Sequence, residues 1–105
     1  MIDAVIEHQA SDALLLDLNG LAPFTDYFII ASCLNTRHVS AIADTVDDAM
    51  REAKIHALHR EGTPESGWVL LDYGDVIVHL FTVPVREHYG LEQLWSHAPT
   101  VVRMQ

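Results

Sequence analysis

Three groups of side chains in this sequence have the types and spacings from which chemistry could be built, and each has a plainer explanation beside it. Seven histidines raise metal binding first. His56-x-x-His59 would present two imidazoles on one face of a helix, were a helix to run that far. A structural zinc site needs further clustered ligands, and His8 and His97 are distant in sequence, so surface histidine is the simpler reading. Cys33 with His38 would suit a thiol nucleophile, because a helix N-terminus lowers a thiol pKa. A cysteine that ends an apolar strand is more simply a small buried side chain. Asp26, Asp72 and Asp75 could gather around a divalent cation. Asp72 and Asp75, however, flank Tyr73-Gly74, where carboxylates that bond nearby backbone N–H groups already account for them. Gly-x-Ser-x-Gly, Gly-x-x-x-x-Gly-Lys-Ser/Thr and the dinucleotide glycine fingerprint are all missing. Acyl transfer, nucleotide hydrolysis and dinucleotide chemistry therefore lose their usual support, and no catalytic group, metal or cofactor is expected.

Large apolar side chains at awkward places say more. Trp68 follows the loop of Glu61, Gly62, Thr63, Pro64, Glu65, Ser66 and Gly67, and Tyr73 stands inside a turn. Left exposed, such an aromatic would anchor a partner; buried, Trp68 would simply begin a core strand. Tyr89, Leu91, Leu94 and Trp95 raise the same question, and Trp95 reads as core.

These residues must be positioned by a small set of elements. Half of the 105 residues are apolar, enough for one core without disulfides, and neither a repeat nor a linker divides residues 1–105, so one domain is expected. Val5, Ile6 and Ala10 could be the tail of an amphipathic helix over residues 1–9. Residues 13–18 read as a short buried strand, Asn19-Gly20 as a turn, and residues 27–33, aromatic and β-branched, as a second strand. Asn35 or Thr36 caps a helix in which Val39, Ile42, Ala43, Val46, Ala49, Met50 and Ala53 recur at helical spacing. Residues 54–61 either continue it to a stop at Gly62 or run extended. Residues 68–72 and 76–81 flank Tyr73-Gly74-Asp75 as two central strands of a tight hairpin, with Gly74 at the position needing positive φ. Pro84 opens a helical turn through Val85, Arg86, His88 and Tyr89, and residues 91–95 form another before Pro99. The order α-β-β-α-β-β-α implies an α+β or mixed α/β sheet flanked by helices, the long helix crossing between strands two and three.

Fifteen acidic against six basic side chains give a formal charge of -9. That balance lacks the footprint of a protein that binds nucleic-acid phosphates, so no direct DNA binding is expected and a basic protein partner fits better; solubility alone would also explain it. A single cysteine, Cys33, rules out an internal disulfide and fits a reducing cytosol. The acidic N-terminus and the absence of any apolar run near 18 residues argue against export and membrane insertion.

Several segments, taken in order, resemble the Iojap-related family of ribosomal silencing factors, and the likeness runs from Asp12 to Trp95. They are Asp26-Tyr27-Phe28-Ile29-Ile30-Ala31-Ser32, Arg37-His38-Val39 with Ala41-Ile42-Ala43-Asp44, Glu61-Gly62, the hairpin from Trp68 to Phe81, Arg86-x-x-Tyr89, and Leu91-Glu92-x-Leu94-Trp95. The resemblance implies a nucleotidyltransferase-like α+β fold. It implies a cytoplasmic, non-enzymatic repressor that binds the conserved large-subunit ribosomal protein numbered fourteen, blocks an intersubunit bridge and damps translation when nutrients are scarce. Organellar relatives of the family assist large-subunit assembly, and a homodimer is a further implication. Carried over residue by residue, the partner surface comprises Glu61, Trp68, Asp72, Tyr73, Asp75 and His79, with Arg86 and Tyr89 beside them. Cys33 stands where relatives often have glycine. The rival reading, a nucleotide-transferring enzyme, needs a Gly-Ser turn and paired metal-binding carboxylates, and neither occurs in that arrangement.

Overall fold

Asn35 starts the longest helix. Its backbone is extended, and its Oδ1 accepts from the His38 N–H at 2.9 Å, which satisfies one of the donors that a first turn leaves unpaired. The helix α1, Thr36–Glu52, buries Val39, Ile42, Ala43 and Val46 completely, as their spacing requires. It ends when Lys54 enters the left-handed region at φ +63° and the Ile55 N–H turns back to the Met50 carbonyl. Residues 54–61 therefore do not prolong the helix. The structure is a computed structural model that describes residues 11–104, and the helix expected at residues 1–9 lies outside the described residues.

Six strands make one mixed sheet: β1 (Ser11–Asp17), β2 (Tyr27–Cys33), β3 (His59–Thr63), β4 (Trp68–Asp72), β5 (Val76–Thr82) and β6 (Thr100–Met104). Their order is β3-β4-β5-β2-β1-β6. β2 and β5 run parallel, from Tyr27 opposite Val76 to Cys33 opposite Thr82, and the other neighbouring pairs are antiparallel. Two short helices, α2 (Val83–Tyr89) and α3 (Leu91–Leu94), follow β5. The mixed sheet flanked by helices was expected; β3 and β6 at its two edges were not. β3 is exposed along its whole length and carries His59, Arg60 and Glu61, so no apolar alternation betrays it. β6 is a five-residue segment beyond Pro99 whose strand character comes from pairing with β1.

Coverage differs between strands. β2 and β5 are buried along most of their length, as strands packed on both faces are. β4 alternates: Val69 and Leu71 are fully buried on the α1 side, while Trp68, Leu70 and Asp72 are only partly covered on the other. On that second face Leu16, Phe28, Ile30, Ile77 and Phe81 pack with Val85, Leu91 and Trp95.

Arg86 of α2 clamps this assembly. It is 5% exposed, donates from Nη1 to the Asp12 carbonyl at 2.7 Å and to Ser32 Oγ at 2.9 Å, and from Nε to Glu92 at 3.1 Å. One guanidinium thus joins the start of β1, the end of β2 and α3. The carbonyl it holds belongs to Asp12, whose φ of +49° accompanies a break in the β1–β2 register between Ser11 and Leu14.

Gly62 lies within β3 at φ +80°, and a Cβ added there would stand 2.1 Å from the Trp68 carbonyl oxygen; Gly20, at φ +79°, opens on to empty space. Alanine at either site meets the left-handed penalty of about 1–2 kcal/mol, but only at Gly62 must a strand also move. Gly62→Ala should therefore be less stable than Gly20→Ala by roughly 1–3 kcal/mol in urea denaturation, and equal losses would mean that β3 is free to shift away from β4.

Candidate functional site

The partly covered face of β4 is where the side chains singled out in the sequence converge. Antiparallel pairing sets Glu61 of β3 opposite Leu70 of β4, and Leu70 opposite His79 of β5; Thr63, Trp68 and Phe81 form the next row. Directly opposed residues share a face, so both rows point away from α1. Tyr89, the last residue of α2, comes over this face, its ring 4.8 Å from that of Trp68. Glu61, Gly62, Ser66, Trp68, Leu70 and Tyr89 then line a groove of about 230 Å³.

Trp68 is partly buried, so it is neither a closed core residue nor a free one. Its ring stacks at 5.0 Å on Phe81, and its Nε1–H donates to His79 Nδ1 at 3.2 Å. His79 lies beneath, 3% exposed, and burial pushes its pKa down to about 4. It is therefore neutral at neutral pH, and because Nδ1 accepts, the proton is on Nε2, which is buried with no partner among the described residues.

Glu61 is exposed at the groove. Its neighbour Arg60 points to the opposite face and reaches Asp44 of α1 at 3.5 Å. Among the described residues no ion pair or hydrogen bond engages the Glu61 carboxylate, and no lysine or arginine lines the groove.

The remaining expected site residues are dispersed. Asp72 shares the face of Trp68 and Leu70, about 13 Å along the strand from Trp68, and its Oδ1 accepts from the Gly74 N–H at 2.8 Å. Asp75 is exposed at the hairpin tip, its carbonyl accepting from Asp26 and Tyr27 at 3.0 Å. Tyr73 belongs to the other face, where its hydroxyl donates to Asp47 of α1 at 3.0 Å. Burial and that bond raise its pKa. Burial leaves little of His79 or Arg86 for a partner to touch. Gly62, Ser66 and Leu70 were missed, although the two-residue period of a strand places Leu70 beside Trp68.

The chemical alternatives do not assemble. Cys33 is 1% exposed and burial pushes its thiol up to about 11, the reverse of activation, while His38 Nδ1 accepts from the Leu34 N–H at 2.9 Å. His56 lies in the loop after α1 and His59 on exposed β3, so they share no helix face. Among the described residues no three metal-binding side chains gather. The groove is also smaller than the about 300–1,000 Å³ of small-molecule sites.

A partly buried tryptophan beside an unpaired carboxylate, on a sheet face without reactive groups, has the make-up of a protein-binding surface. The chain belongs to the family described as "ribosomal silencing factor during starvation", which it matches over residues 1–105. It is 41% identical over 93 residues to ribosomal silencing factor RsfS of Bacillus subtilis, covering 89% of this chain and 79% of that one. It is 36% identical over 100 residues to the RsfS of Halalkalibacterium halodurans, covering 95% and 86%. A crystal structure of a Chromobacterium violaceum protein superposes with a TM-score of 0.86 at 34% identity, covering 90% of this chain and 79% of that chain.

Because the His79 pKa is depressed by folding from 6.5 to about 4, its neutral form supports stability fully above pH 6.5 and that support is lost as pH falls towards 4. Replacing it with glutamine, which does not titrate, should change the stability gap between variant and wild type by roughly 3 kcal/mol from pH 7 to pH 4, in the variant's favour on acidification. Urea denaturation across that range measures it, and parallel curves would mean that His79 is not desolvated.

Proposed function

We propose that this chain silences translation by docking on the large ribosomal subunit, with the groove of Glu61, Trp68 and Tyr89 as its centre. The surface it covers is that of the large-subunit protein numbered fourteen, and covering it keeps the small subunit from joining. The observation that carries this reading is the uncompensated Glu61 carboxylate beside a partly buried aromatic anchor, on a chain of formal charge -9. Such a surface suits a basic protein: the acids speed encounter and the aromatic supplies the desolvated contact. Asp72 and Asp75 then belong to the rim. No step of this function needs a catalytic group or a cofactor, and its place is the cytoplasm, where subunits join. Among the described residues no helix is long and apolar enough to cross a membrane.

Co-sedimentation with separated subunits tests this, and binding to the small subunit alone would refute it. The same runs without ribosomes distinguish a monomer from a homodimer. Trp68→Ala should weaken large-subunit binding by about 2 kcal/mol or more, the mark of an interface hot spot. Because Trp68 is only partly buried, the stability loss should stay below the roughly 3–5 kcal/mol of a core tryptophan. A variant that unfolds outright would return Trp68 to the core.

Asp75→Asn retains a turn-forming side chain while removing one charge at the hairpin tip. Its association rate with the large subunit should fall, the salt dependence should flatten, and dissociation should hardly change. Stopped-flow measurements at two ionic strengths read all three, and rates equal to wild type at both would place the hairpin tip outside the docking surface.

A further inference from the structure

An aromatic anchor binds tightly when its orientation is fixed before the partner arrives, because no rotamer entropy is then lost on docking. Trp68 is oriented by a residue that a partner cannot reach. His79 is 3% exposed, a diagonal neighbour of Trp68 across the β4–β5 pair, and its Nδ1 receives the indole N–H at 3.2 Å. We propose that His79 is a positioning residue for docking: it holds the Trp68 indole in the groove and acts on the partner only through Trp68. The inference rests on the docking function proposed above.

What His79 costs the fold supports this. Its surroundings are aromatic, with the rings of Phe28, Trp68 and Phe81 at 4.6, 5.9 and 6.1 Å, and its Nε2 is buried with no hydrogen-bond partner among the described residues. A buried donor left unsatisfied is destabilising, so a leucine of similar size would suit this pocket better than histidine does. What leucine cannot do is accept a hydrogen bond. Trp68 is only partly buried, so part of its side chain stays in contact with solvent while the bond to Nδ1 holds its N–H end. That bond fixes the orientation of the indole.

The variants His79→Leu and His79→Gln separate these roles, the glutamine carbonyl being able to accept where Nδ1 does. His79→Leu should melt at or above the wild-type temperature yet bind large subunits about tenfold more weakly, while His79→Gln should recover most of that loss. In ¹H–¹⁵N spectra of the free protein, the Trp68 indole hydrogen should exchange faster in His79→Leu and regain protection in His79→Gln. Wild-type binding by a normally melting His79→Leu would overturn the proposal, as would a melting loss that accounts for all of the binding loss. If the wild-type protein failed to bind large subunits the docking function would fall, whereas unchanged indole exchange in His79→Leu would overturn the positioning role whether or not ribosomes bind.

Discussion

A sheet has two apolar faces to cover, and among the described residues there is one long helix to cover them. α1 closes the first face, where Val39, Ile42, Ala43 and Val46 meet Ile29, Ala31, Val69, Leu71, Val78 and Leu80 without leaving accessible surface of any size. Among the described residues the second face has only short elements, α2, α3 and the segment reaching Ala98. Their apolar residues protect β1, β2 and β5 but leave β3 and β4 partly open. The groove is a consequence of that unequal cover.

Rings do the work there that a second helix would otherwise do. Phe24, Phe28 and Trp95 meet at 6.0–6.2 Å, Phe28 meets His79 at 4.6 Å, and Trp68 continues the series to Phe81 and Tyr89. Aromatic side chains bury much area on few rotatable bonds, so a row of them can stiffen a surface that remains open to a partner. Arg86 completes the support from the far side by binding α2 to β1 and β2, and α2 in turn carries Tyr89 over Trp68. The guanidinium thus acts on the groove without facing it.

What could be read from the sequence follows the strength of each local signal. α1 was legible because its apolar spacing and its Asn35 cap agree, and the β4–β5 hairpin because Gly74 supplies positive φ between two apolar runs. The edges were not: β3 is polar throughout, and the β-branched Thr100-Val101-Val102 of β6 is too short a run to name its partner, so both owe their place to neighbours distant in sequence. The site divides in the same way. Trp68 and Tyr89 were legible as unusual residues and Glu61 only through the family resemblance, but their convergence depends on the pairing of β3, which the sequence left open. Tyr73 and Arg86 carry the same chemical promise as Trp68 and Tyr89, yet a bond to Asp47 turns one to the other face and bonds to Asp12, Ser32 and Glu92 draw the other inside.

Electrostatics alone does not separate the faces. Four of the six basic side chains are paired, Arg51 with Asp47, Arg60 with Asp44, and Arg86 and Arg103 with Asp12, Arg86 also taking Glu92; none of these pairs includes a groove residue. The exposed pairs of Arg51, Arg60 and Arg103 contribute little to stability, at most about 1 kcal/mol each, unlike the buried bonds of Arg86. Their larger effect is on where charge remains. The arginines engage Asp44 and Asp47 on α1, Asp12 on β1 and Glu92 on α3, and among the described residues no ion pair takes Glu61 at the groove or Asp48 and Glu52 on α1. A partner that carries positive charge then meets unpaired acid on both faces, and at the groove it also meets the Trp68 ring, so the aromatic anchor rather than the charge alone favours that face for docking.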